Sequence, residues 1–244
     1  MHRSAVRHLK RSDPRLAALI ERVGPCRFET RGEGTHFDAV ARSIVYQQLS
    51  TKAASTILSR FHALYGARTP TPDELLSTPL ETLRSVGLSR QKSAYLRDLA
   101  SRTKSGELPI DTLQDLDDGE IIAALTGVKG VGRWTAQMFL MFRLGRPDVL
   151  PELDLGIRKA IQLAYGMRKM PTPRQLAILA ARWHPHCTIA SWYLWRSLDL
   201  PKAEGLKPSV KRPAVKGQRK PISAAAKRNS SARETVRAKQ RKQK

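Results

Sequence analysis

"LTGVKGVGRWTAQ", residues 125–137, places Gly127, Gly130 and Gly132 within six positions, between two stretches with helical patterning. Each glycine costs about 1 kcal/mol against alanine inside a helix, so the three belong to a tight link rather than to one continuous helix. Upstream, Asp117 and Glu120 have the spacing of a capping box ahead of "IIAALT", and Gly127 suits the C-terminal stop. Downstream, "RWTAQMFLMFRLG" runs as a second helix. The link "GVKGVG", 127–132, is too short to fold over anything. Glycine there permits positive φ and lets another molecule approach the backbone closely. The amides of Gly130, Val131, Gly132 and Arg133 are expected to face outward at the second helix's N-terminus, a ready anion site suited to phosphate.

Charge agrees with that expectation. The 244 residues hold 44 Lys+Arg and 21 Asp+Glu, a net +23. From Lys202 to Lys244 there are 15 basic and two acidic residues, so the last stretch carries +13 and the preceding 201 residues still carry +10. A polyanion is the natural partner, with double-stranded DNA first among them. No stretch approaches the roughly 20 apolar residues of a membrane helix, and the basic start "MHRSAVRHLKRSDPRL" lacks the apolar run of a secretory signal. Two cysteines, Cys26 and Cys187, cannot make a disulfide framework or a cysteine-rich metal site. A reducing interior compartment follows.

The rest of the chain reads as helices with clear punctuation and without alternating β-branched runs. Asp13-Pro14 opens one helix and Gly24 closes it. "HFDAVARSIVYQQ" and "TKAASTILSRFHALYG" present apolar faces at helical spacing, and "SRQKSAYLRDLASRT" supplies another helix. Thr71-Pro72-Asp73-Glu74, Thr78-Pro79-Leu80-Glu81 and Thr172-Pro173-Arg174-Gln175 each have the pattern of a capped start with proline in the first turn. The expectation is an all-α domain of about ten short helices over 13–201, preceded by a basic N-terminal arm, 1–12. A disordered Lys/Arg-rich tail, 202–244, follows, with almost nothing apolar to bury.

The hairpin resembles a helix-hairpin-helix motif, which grips a DNA backbone without reading sequence. The likeness extends along residues 15–200: "SIVYQQLSTKAASTI", "VGLSRQKSAYLRDLA", "GVKGVGRWTAQMFL", "LPELDLGIRKAI" and "RWHPHCTIASWYLWR" resemble, in this order, the 3-methyladenine DNA glycosylase II branch of the helix-hairpin-helix (HhH-GPD) glycosylases. The resemblance implies a two-lobed helical fold with the active site between the lobes. It also implies hydrolysis of the N-glycosidic bond of alkylated purines in double-stranded DNA by base flipping, the start of base-excision repair. Such a protein works as a monomer in the cytoplasm and nucleoid of a bacterium, or in a eukaryotic nucleus.

Residue by residue, the family's catalytic aspartate falls on Asp154. By its sequence setting alone this residue is equally a helix N-cap, and Glu152 is the reserve. A carboxylate beside the sugar stabilises the positive charge that develops as the bond breaks, and orients or deprotonates the water. Trp134, Met138 and Trp195 match pocket positions, the two tryptophans sandwiching a base whose methylation makes it cationic. Trp183 and Trp192 are left to the core. Strand-cutting relatives carry a Schiff-base lysine where this chain has Trp134, so no lyase activity is implied. Gly130, Val131, Gly132, Arg133 and Lys129 are the phosphate contacts. The carbonyls of Thr126, Val128 and Val131 correspond to a site for Na+ or K+. Four cysteines for an iron–sulfur cluster are lacking, and no other cofactor is implied. Gln48, then Leu49 and Ser50, match the wedge that fills the gap left by the flipped base, although Gln47 and Gln48 suit interior hydrogen bonding equally well. Cys187 stands where relatives often carry Arg, which puts substrate range in question. The residues themselves leave two alternatives open: the same fold acting on uracil or a deaminated or oxidised base, and a non-catalytic protein that binds damaged DNA.

Overall fold

The computed structural model describes residues 2–201; the expected tail, 202–244, lies outside the described residues. Among the described residues there are twelve α-helices, two 3₁₀ segments and no strand. The chain begins in one lobe, crosses to build the other, and returns. Arg3–Ser12 (α1) and Pro14–Val23 (α2) open the first lobe, which is completed much later by Leu155–Ala164 (α10), Pro173–Ala180 (α11) and Cys187–Ser197 (α12). Its core joins Leu9, Leu16, Ile20, Ile157, Ile161 and Trp183. Between them, His36–Tyr46 (α3), Thr51–Ala63 (α4), Pro72–Ser77 (α5), Leu80–Ser85 (α6), Arg90–Ser105 (α7), Asp118–Thr126 (α8) and Arg133–Phe142 (α9) form the second lobe around Ile44, Phe61, Leu96, Leu99, Leu125 and Leu140. Phe142 and Trp195 pack against both cores and mark the junction. No helix among the described residues is long and apolar enough to cross a membrane.

Local signals hold where side-chain chemistry sets them. Thr71, Thr172 and Asp117 each close a capping box with Glu74, Gln175 and Glu120, which satisfies amide donors that a helix start leaves free. Thr78 departs from its expected role. Its hydroxyl donates back to the Glu74 carbonyl, and Pro79 occupies the cap of α6 without a side-chain bond.

The largest correction concerns 1–12. Those residues do not stand apart as a basic arm: α1 packs on α2 and α12 and buries Ala5 and Leu9. Apolar positions four residues apart lie on one face even in a segment this basic. Asp13 anchors the turn between α1 and α2. Its buried carboxylate accepts from the Arg15 and Leu16 amides (3.0 and 3.1 Å), from Trp183 Nε1 (2.9 Å) and from the Tyr165 hydroxyl (2.5 Å). Burial first, and then this bond to a carboxylate, push the Tyr165 phenol far above its ordinary value.

Candidate active site

The link between α8 and α9 is a tight turn in which Val131 N–H donates to the Val128 carbonyl at 3.0 Å. Only one of its three glycines has positive φ. Gly127 is helical, closing α8, whereas Gly130 sits at φ +79°. A Cβ on Gly130 would lie 2.1–2.7 Å from the ring of Tyr95, which packs under the turn from α7. Gly132 caps α9 with no side chain to offer, and a Cβ there would meet only open space. The amides of Gly130, Gly132 and Arg133 donate to no protein group among the described residues. They stand at the start of a ten-residue helix whose dipole favours an anion.

Two residues of the expected phosphate set are occupied otherwise. The Val131 amide is spent on the turn and its side chain is buried. The Lys129 amide donates to Asp98 Oδ2 at 2.9 Å, and its ammonium lies 3.5 Å from Asp98 Oδ1. Lys129 thus fastens the turn to α7. The Arg133 guanidinium donates to Glu152 at 3.0 Å. Of the three carbonyls matched to a monovalent cation, that of Val128 also takes the turn bond, and Thr126 turns its hydroxyl back to Ile122 at 2.7 Å. The cation assignment stands on the hairpin's shape alone.

Asp154 is the N-cap of α10, and it is more than that. Oδ1 accepts from the Ile157 amide (2.7 Å) and from Trp195 Nε1 (3.0 Å), while Oδ2 accepts from Trp134 Nε1 (2.8 Å). All three partners are donors, the set that a carboxylate without its proton accepts. Trp134 comes from α9 in the second lobe; Asp154 and Trp195 come from α10 and α12 in the first. The carboxylate is therefore half-buried at the lobe junction and tied to both sides. Trp134 directly follows Arg133, so one helix start carries both the free amides and one arm of this cluster.

The structure divides the expected base pocket. Trp134 is 48% exposed. Trp195 is partly buried and already stacks on Phe142 (centroids 6.0 Å, interplanar angle 27°), so one of its faces is taken. The indole N–H groups of both tryptophans converge on Asp154. Met138, one turn beyond Trp134, packs into the second lobe's core and lines a cavity of about 570 Å³ with Thr135, Phe139 and Phe142. Trp134, Asp154 and Trp195 do not line that cavity, and Phe142 is the wall the two places share. Trp183 is fully buried, whereas Trp192 is only partly so and packs against the first lobe's core.

Glu152 is committed elsewhere. Burial pushes its carboxyl up, but hydrogen bonds from Gln137 (2.9 Å) and Arg133 outweigh this and leave it below the ordinary value. It ties the loop before α10 to α9.

The α3–α4 loop is braced to the same hairpin. Gln47 Nε2 donates to the Gly130 carbonyl at 2.8 Å, and the Lys92 ammonium donates to the carbonyls of Val45 (2.8 Å) and Gln47 (2.7 Å). Desolvation in that position lowers the Lys92 pKa. Gln48 is exposed in the left-handed region (φ 57°) and Leu49 is 38% exposed, so both project from an anchored loop. Ser50 is engaged as the N-cap of α4.

Lys92, Tyr95 and Asp98 form a stripe at three-residue spacing on α7, and the sequence reading missed all three. That spacing was the available signal. Gly156 is the other omission. A Cβ on it would lie 3.0 Å from Asp154 Oδ1 and 3.2–3.4 Å from the Trp195 indole, which explains a glycine inside the first turn of a helix. Gly156→Ala is expected to displace Trp195 from the carboxylate and slow base release about tenfold, the scale of about 1.4 kcal/mol, with DNA affinity unchanged. Single-turnover kinetics beside a binding titration measure both.

Comparison with known proteins identifies the family. The family model described as "HhH-GPD superfamily base excision DNA repair protein" matches residues 41–186. DNA-3-methyladenine glycosylase 1 of Schizosaccharomyces pombe is 34% identical over 196 residues, spanning 79% of this chain and 86% of the relative. The alkylbase DNA glycosidase-like protein mag2 of the same yeast is 29% identical, over 80% and 93%. The solved structure of the S. pombe 3-methyladenine DNA glycosylase in complex with abasic DNA superposes with a TM-score of 0.72 at 34% identity, covering 81% of this chain and 97% of that one. The free amides at the start of α9, the carboxylate held between two lobes and these matches agree: the chain belongs to the HhH-GPD superfamily of base excision DNA repair proteins.

Proposed function

We propose that the protein is a monofunctional DNA glycosylase that removes alkylated purines, 3-methyladenine and 7-methylguanine, from double-stranded DNA. The observation that carries this reading is the Asp154 carboxylate, fixed by two indole N–H groups and one amide at the junction of the lobes. A target base must leave the duplex to be cut. Gly130, Gly132 and Arg133 hold the backbone through their amides, and the bare Cα of Gly132 admits a phosphate to the start of α9. Gln48 and Leu49 fill the vacated stack. The flipped nucleotide enters the junction, where the free face of Trp134 meets the cationic base and Asp154 faces the sugar. As the N-glycosidic bond lengthens, the fixed negative charge stabilises the oxocarbenium-like sugar and orients the water that completes hydrolysis. No lysine occupies position 134, so the abasic strand is left uncut. Na+ or K+ at the Thr126, Val128 and Val131 carbonyls would add positive charge toward the same phosphate. The protein acts as a monomer, in whichever compartment holds the DNA.

Single-turnover release of 3-methyladenine and 7-methylguanine from methylated duplex, beside duplexes bearing uracil, hypoxanthine or 8-oxoguanine, tests the proposal. Alkylpurine release without strand nicking is the expected result. Release of another lesion alone would move the substrate assignment, and tight binding without any release would replace an enzyme by a damage-binding protein.

The +13 of residues 202–244 bears on search rather than chemistry. Deleting 206–244 is expected to weaken binding to undamaged duplex and to flatten the dependence of log K on log salt, because fewer counterions are released. Single-turnover cleavage at saturating DNA should stay near the full-length rate. Loss of cleavage on truncation would place the tail in the site.

A further inference from the structure

At the start of α12 three potential metal ligands meet. A ring nitrogen of His184, a carboxylate oxygen of Asp148 and Cys187 Sγ all lie within 4.8 Å of one another. His184 Nδ1 and Asp148 Oδ2 are 2.6 Å apart, and Cys187 Sγ is 3.7 Å from His184 Nδ1. Asp148 is fixed from its other oxygen, Oδ1, which accepts the Cys187 amide at 3.1 Å. The surrounding backbone is firmly seated: Thr188 N–H donates to the Pro147 carbonyl, its hydroxyl donates to the Arg146 carbonyl, and Val149 N–H donates to that hydroxyl. Two ends of the chain's return into the first lobe are thus pinned together at the start of α12.

We propose that Asp148, His184 and Cys187 form a binding site for zinc. A tetrahedral zinc with thiolate and imidazole ligands holds sulfur and nitrogen about 3.5 Å apart, and imidazole and carboxylate atoms about 3.3 Å apart. The Sγ–Nδ1 pair is already at that separation. From 2.6 Å, Oδ2 has to move about 0.7 Å away from Nδ1, by turning about the Oδ1 bond that stays in place. The mixed sulfur, nitrogen and oxygen set suits a borderline-soft divalent ion rather than magnesium or calcium. Cys187 is fully buried, while the side chains of His184 (53% exposed) and Asp148 (31%) open the site to solvent, giving the ion an entry and water the fourth position. On binding, the thiol and the His184 nitrogen release their protons to solvent, and three metal–ligand bonds replace the Asp148–His184 hydrogen bond. Cys187 thereby acquires a role that the glycosylase chemistry does not give it. The ion ties the segment before α10 to the first turn of α12 and stiffens the first lobe.

The test is a cobalt titration of the tag-free full-length protein, stripped with chelator. One equivalent of Co2+ should develop a thiolate-to-cobalt charge-transfer band together with tetrahedral ligand-field bands. Zn2+ should abolish both and raise Tm. Cys187→Ala removes the thiolate and should erase the charge-transfer band. Because Cys187 is buried, His184→Gln is the parallel variant: its half-exposed side chain leaves folding intact, and Co2+ affinity should fall by about 100-fold. Absence of the bands in wild type overturns the site. So does a charge-transfer band that survives in Cys187→Ala, which would assign the thiolate to Cys26, or an unchanged affinity in His184→Gln.

Discussion

Asp154→Asn is expected to slow single-turnover release of 7-methylguanine by ~10² or more while leaving affinity for abasic duplex within a few-fold of wild type. The substitution is nearly silent for the fold. Asparagine caps a helix as well as aspartate does, and its amide oxygen still accepts from the Ile157 amide and Trp195 Nε1 in place of Oδ1. Two things change. The negative charge is lost, and an amide NH2 now faces Trp134 Nε1, donor against donor, where Oδ2 had accepted at 2.8 Å. A rate loss without a binding loss is the signature of an interaction made in the transition state. Equal release by both proteins would reduce Asp154 to a cap and transfer the chemistry to another group.

Gly130→Ala should damage binding rather than chemistry, and severely. Alanine at φ +79° is strained by about 1 kcal/mol, and its Cβ would sit 2.1–2.7 Å from the Tyr95 ring. Either Tyr95 leaves α7's face or the turn lifts. The hairpin then loses its seat, and the Gly130 carbonyl moves away from Gln47, releasing the α3–α4 loop as well. Duplex affinity is expected to fall at least tenfold, about 1.4 kcal/mol, for damaged and undamaged DNA alike, since backbone contacts carry no sequence information. The double variant Gly130→Ala/Tyr95→Ala removes the clash and keeps the strain, so it should recover part of the loss. Wild-type affinity in Gly130→Ala, measured by fluorescence anisotropy, would remove the hairpin from the DNA-binding surface.

These two positions differ in how visible they were from sequence. Asp154 stood out through its spacing after the hairpin, although the same residue is an ordinary N-cap, and the structure shows it serving as that cap while also receiving both indoles. Gly130 stood out as one of three glycines, with Gly127 set apart as a helix stop, but nothing in the sequence separated it from Gly132. The separation comes from Tyr95, 35 residues earlier on another helix. The amides of Lys129 and Val131 are taken for the same reason. A sequence shows that an amide exists, not that Asp98 or the Val128 carbonyl has already claimed it.

What the sequence by itself determined is everything that acts over a few residues: helix starts at Asp13, Thr71, Asp117 and Thr172, the stop at Gly24, the hairpin between α8 and α9, and the basic charge that selects a polyanion. Caps and turns are satisfied by neighbours in the chain, so their energies are local and legible. Only the tertiary structure decided which lobe α1 joins, that Trp134 and Trp195 both bond Asp154, that Met138 opens onto a separate cavity, and that Asp148, His184 and Cys187 share a corner. Those contacts join segments far apart in sequence, and they form only because apolar faces distant along the chain close over the cores of the two lobes.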